Sequence, residues 1–167
     1  MNAALQRLRA EIRFDREVFE RRIAELQAVD LDPQTTTGAQ RAQAAVALHH
    51  AYGAVEGLLV RVARQLEGSL PEGPDWHQAL VHVMGLEVPS VRPAVLSRPV
   101  VDGLRRLLGF RHFFRHAYAV ELDPGQLAAL RREAVRLAPA LATDLGRLDT
   151  FLAQAAEGSQ ASEPPGA

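Results

Sequence analysis

Residues 110–118, Phe110-Arg111-His112-Phe113-Phe114-Arg115-His116-Ala117-Tyr118, gather two arginines, two histidines and a tyrosine among three phenylalanines. A spacing of four puts Arg111 and Arg115 on one face of a helix, and His112 and His116 on a neighbouring face. Phe110 and Phe114 form a third, apolar stripe that continues back through Leu107 and Val100. A guanidinium matches two phosphate oxygens at once. An imidazole, with an ordinary pKa of about 6.5, moves protons at neutral pH. The chemistry this pairing suits is metal-free cleavage of RNA, in which the 2′-hydroxyl attacks the adjacent phosphorus. That step needs a base, an acid for the leaving oxygen, and positive charge at the non-bridging oxygens. Arg111 fits the last role and His116 the proton transfer.

Arg111, four intervening residues, His116, Ala117 and Tyr118 form an R-x4-H-x-Y string. In this the chain resembles the HepT-like toxins, a branch of the HEPN ribonuclease superfamily. Tyr52-Gly53-Ala54-Val55-Glu56 and Pro71-Glu72-Gly73-Pro74-Asp75-Trp76-His77 resemble segments of the same subfamily, so the likeness runs from about Arg41 to Val135. The resemblance implies that Arg111 and His116 are catalytic and that His112 is the polar residue supporting the arginine. It also implies a homodimer and a minimal nucleotidyltransferase antitoxin that nucleotidylates Tyr118. A phenol, with a pKa of about 10, is a poor proton carrier at neutral pH. It is, however, a good acceptor for a nucleotidyl group, and AMP there would set a phosphate among Arg111 and Arg115.

Five residues at about 100° each place Arg111 and His116 roughly 140° apart around an ideal helix. Either the helix ends before His116, or two copies of the motif face each other across a dimer cleft. A two-fold axis would also double a local basic patch. Arg98, Arg105, Arg106, Arg111 and Arg115 share their helix with Asp102 as its sole acid. Arg115 and Arg105 are the expected RNA and phosphate contacts. The competing assignment pairs Arg111 and Arg115 with Glu56 or Glu121, uses His116 as a helix cap and buries Tyr118. The chain would then be a non-catalytic helical module that binds nucleotide or scaffolds a nucleotidyltransferase.

The composition limits the options. With 167 residues and 47% hydrophobic side chains, the chain can bury the core of one ordinary domain. A net charge of −1 excludes a generally basic nucleic-acid binder, so RNA contact must come from a local patch. The 19 basic residues are all arginines. No cysteine is present, which rules out disulfides, thiolate catalysis and cysteine-type zinc sites. No metal or cofactor is expected. The first residues lack an apolar signal core and no run reaches membrane-spanning length, so a cytoplasmic protein without membrane contact is expected.

The elements that must position the motif are helical. Leu5, Leu8, Ile12, Val18, Phe19, Ile23, Leu26 and Val29 recur at three- and four-residue steps up to Asp30-Leu31-Asp32-Pro33. A second helix spans about Ala39 to Leu66 and is apolar on most sides, which places it centrally. On it, His49 and His50 read as core or groove lining, and Glu56 as a candidate partner for an arginine of the motif helix, since an unpaired carboxylate there is costly. Asp75 caps a short helix to about Met84, in which Trp76 is a packing anchor and His77 and His82 fall on different faces. Residues 85–99, with three prolines, are an extended connection. The motif helix runs from about Val100 to His116. Asp123-Pro124 opens a last long helix with a kink expected at Pro139. The sequence thus predicts an all-α up-and-down bundle of four main helices plus a short one, over residues 1–156, with a disordered tail at 157–167.

Overall fold

The computed structural model describes residues 2–116 and 122–161; the side chains at 2, 115, 116 and 159–161 fall outside that description. Among the described residues five helices follow one another: α1 (Asn2–Gln27), α2 (Gly38–Leu66), α3 (Trp76–Met84), α4 (Arg98–His116) and α5 (Pro124–Ala161). Among the described residues the sole β feature is an isolated antiparallel bridge between Val88 and Arg92. No helix among them is long and apolar enough to cross a membrane.

Local chemistry sets the helix ends. Thr37 caps α2 with a capping box: its hydroxyl accepts from the Gln40 amide, and the Gln40 side chain accepts from the Thr37 amide. Asp123 caps α5 as expected, accepting from the amides of Gly125 and Gln126, with Pro124 at the first helical position. Asp75 precedes α3, but its side chain makes no capping hydrogen bond. Its backbone is not in the extended conformation of a typical cap, and its carbonyl alone serves the first turn. One boundary also differs from expectation. Helix α5 runs through Pro139, and it persists to Ala161, inside the segment expected to be a tail from Glu157. Ala156 is buried, and the alanines and Gln154 before it propagate a helix already formed.

Ion pairs and packing contacts give the topology. Arg9 of α1 meets Asp149 of α5, while Arg131 reaches the Val29 carbonyl at the other end, so α1 and α5 run antiparallel. Arg61 of α2 pairs with Asp15 and Glu11 of α1. Ser97 touches Asp144 and Arg106 touches Glu133, which makes α4 and α5 antiparallel. Glu56 with Arg111, and His49 with Phe114, do the same for α2 and α4. The result is an up-down-up-down ring of α1, α2, α4 and α5, with α3 inside the α2–α4 crossover. Helix α2 touches all four others, the central place its apolar surface demands. At Gly103 a Cβ would come within 2.9 Å of Leu137 Cδ1, so glycine lets α4 and α5 approach closely.

The α3–α4 connection is held by Arg92, whose side chain is fully buried. Its Nε donates to Glu67 at 2.7 Å, just past the end of α2, and its other nitrogens donate to the carbonyls of Val83, Leu86 and Pro93. A tight turn with Ser90 at a φ of 62° brings Arg92 inward. Arg92 thereby fixes the C-terminal end of α3 relative to the end of α2. Arg92→Ala should lower unfolding free energy by about 2–4 kcal/mol, because it strands three carbonyls and a half-buried carboxylate. Arg16→Ala, which breaks only the exposed pair with Glu20, should cost under about 1 kcal/mol. Urea midpoints of the two variants check this; equal shifts would refute the role given to Arg92.

Candidate functional site

Glu56 decides the geometry of the site. It sits on α2 one turn after Tyr52, with a side chain only 11% exposed, so its charge must be answered locally. Arg111 of α4 answers one oxygen, with Nη2 donating to Oε1 at 3.0 Å. His77 of α3 answers the other, with Nδ1 at 2.7 Å from Oε2. The Arg111 guanidinium also lies over the Tyr52 ring, 5.6 Å from its centre, and its Nη1 is 3.5 Å from His77 Nε2. Three helices thus converge on one carboxylate.

Aromatic contacts hold the imidazole plane. Trp76 stacks on His77 with ring centres 3.7 Å apart, and His112 meets His77 edge-on at 5.7 Å. Hydrogen-bond logic then fixes the His77 tautomer. A guanidinium can only donate, so Nε2 facing it is the bare nitrogen and Nδ1 carries the hydrogen given to Glu56.

Tyr52 is 1% exposed, and its hydroxyl makes no hydrogen bond of normal geometry. Burial first, and then the negative charge of Glu56, push its phenol well above the ordinary value, against the opposing pull of Arg111.

Of the residues singled out by spacing, Arg111 enters this cluster and His112 borders it from an exposed position. Arg105 is exposed on the same helix, with Nη2 3.3 Å from His82 Nδ1. Arg115 and His116 close α4, but their side chains are outside the described residues, as is Tyr118 altogether. Helix α4 does include His116, so the alternative in which the helix stops before it does not hold, and the offset of about 140° stands. Phe110 and Phe114 pack against the core as the stripe predicts, while Phe113 stays exposed.

Glu56 meets the arginine of the motif helix, as an unpaired carboxylate on an apolar helix required. His49 lies against Phe114 and is half-buried, in keeping with a groove-lining place. What sequence reasoning missed is the role of His77, noted only within a family-like segment and as lying on a different face from His82; its signal was the adjacent Trp76 and the need of Glu56 for a second partner. Among the described residues no group of three or more His, Cys, Asp or Glu side chains could hold a metal ion.

The Tyr52 environment can be measured directly, since the chain has two tyrosines and Tyr118→Phe leaves Tyr52 alone. Absorbance titration of that variant should find no phenolate at the usual pH of about 10 while the protein stays folded. Adding Glu56→Gln should bring the titration down, by removing the second cause of the shift. The folded phenol holds its proton more tightly than the unfolded one. Its contribution to stability is therefore complete below about pH 10 and is lost as pH rises through the folded value. Ordinary titration of Tyr52 in the folded protein would contradict this packing.

The model of the family described as HepT-like protein matches residues 43–152, a stretch that takes in Glu56, His77 and Arg111. No curated protein and no solved structure matches the chain.

Proposed function

We propose, since the chain belongs to the HepT-like family of the HEPN superfamily, that it is a metal-independent endoribonuclease toxin. The observation that carries the reading is the seating of Arg111. The family match spans this arginine, and Glu56, Tyr52 and His77 hold its planar donors in one orientation at the α2–α3–α4 junction. A guanidinium fixed in this way has already lost the side-chain entropy that gripping a phosphate would otherwise cost. Arg105 is exposed further back on α4, so basic charge continues along that helix.

In this reading Arg111 neutralises the charge that builds up on the non-bridging oxygens, and His116 carries a proton, with His112 in support. Arg105 and Arg115 guide the RNA backbone. That α4 is helical through His116 supports a working site formed by two copies of the motif facing each other in a homodimer. Family members are usually toxins paired with an antitoxin. The partner proposed here is a minimal nucleotidyltransferase, which blocks the site by placing AMP on Tyr118.

One observation favours the competing reading, a helical nucleotide-binding or scaffold module that partners a nucleotidyltransferase. Glu56 already satisfies Arg111 inside the protomer, with the arginine side chain 13% exposed.

Induced expression and purified-protein assays separate the two. Wild type should arrest growth and cut RNA with EDTA present, whereas Arg111→Ala and His116→Ala should each lose at least about 100-fold in cleavage with helical content unchanged. Cleavage that survives in His116→Ala, or that EDTA abolishes, would sink the assignment. Co-expression with the nucleotidyltransferase should add the mass of one or more AMP groups at Tyr118, and Tyr118→Phe should abolish the gain. A neutralised complex with unmodified Tyr118 would rule that mode of inhibition out.

A further inference from the structure

Cleavage of RNA through its own 2′-hydroxyl moves two protons, one off the attacking oxygen and one onto the leaving oxygen, whereas the motif assigns one imidazole to proton transfer. We infer that His77, held by Glu56, is the second proton carrier, and that it acts as the general base. This rests on the ribonuclease reading and extends it to a residue outside the motif helix.

Three observations carry it. His77 Nδ1 is bound by a carboxylate at 2.7 Å, the arrangement by which a carboxylate orients an imidazole and stabilises the cation formed when it takes a proton. The opposite nitrogen, Nε2, faces Arg111 Nη1 at 3.5 Å, so it borders the place where a phosphate gripped by Arg111 would sit and is released to take a proton when that phosphate draws the guanidinium hydrogen away. The ring cannot turn away, because Trp76 covers one face at 3.7 Å and the edge of the ring meets His112.

The balance of the step is simple. His77 Nε2 removes the 2′-hydroxyl proton as that oxygen bonds to phosphorus, and the bond from phosphorus to the 5′-oxygen breaks. His116, protonated beforehand, returns a proton to the departing oxygen. The products are a 2′,3′-cyclic phosphate and a 5′-hydroxyl, with no oxidant, reductant or metal consumed. Glu56 is a positioning residue: it orients the His77 ring and aims Arg111.

The test is the pH dependence of cleavage of a short fluorogenic RNA by the purified full-length protein. His77→Ala should lower kcat roughly 10²- to 10⁴-fold with little change in KM, and should lose the limb of the profile on which the rate rises with pH. Free imidazole should restore part of that rate. His77→Asn, which can still donate to Glu56, should be equally slow while keeping the wild-type urea midpoint, so that a folding defect cannot imitate the result. Glu56→Gln should lower kcat and shift the same limb. Wild-type kcat with both limbs intact in His77→Ala, or no imidazole rescue in a folded variant, overturns the inference and leaves the ribonuclease reading standing. A wild-type protein that cuts no RNA brings down both.

Discussion

A carboxylate on the most apolar of the four long helices is the constraint from which the site follows. Glu56 could have faced water for almost nothing. Placed instead at the meeting of α2, α3 and α4, it has to be paired, because an isolated charge there would cost several kcal/mol (roughly 3–5 when one partner of a buried pair is removed). The two partners come from different elements, Arg111 from α4 and His77 from α3, so satisfying one side chain sets the relation of three helices. The pairing contributes specificity more than net stability, since a buried ion pair seldom outweighs its own desolvation. An apolar residue at the same place would pack as well and would leave Arg111 free to adopt many rotamers.

The rest of the bundle supplies the fixed surroundings. Arg92 secures α3 by its C-terminal connection, and Asp144 of α5 is buried against the start of α4, where it accepts from the amide and the hydroxyl of Ser97. Neither lies at the site. Both hold the helices that carry its residues, and both are polar groups satisfied deep in the protein, which is where such groups exert most control over geometry.

How much of this could be read from the chain depended on the kind of signal. The helices were legible because their apolar residues recur at helical spacing and because Thr37, Pro33 and Asp123-Pro124 mark their ends. The family was legible from the R-x4-H-x-Y string, and the need of Glu56 for a motif arginine from its apolar neighbours. The place of His77 was not, since it depends on how the crossover returns α3 across α2, and no periodicity encodes that path. Arg92 was equally hidden: in a segment with three prolines it looks like any surface arginine, and only the inward turn at Ser90 makes it a core residue. Where α5 stops was misjudged because a glycine and polar residues suggest a tail, whereas a helix already packed along α1 continues at little cost.

Helix α4 is clamped twice, by Asp144 at Ser97 and by Glu56 at Arg111, points about 20 Å apart along its axis. Everything in the motif after Arg111 lies beyond the second clamp. The two halves of the helix are therefore held differently. Residues before Arg111 answer to the architecture, and a change there is felt by α2 and α5. Beyond it Phe114 still packs on the core and against His49, whereas the exposed Phe113 can be exchanged without renegotiating the interior.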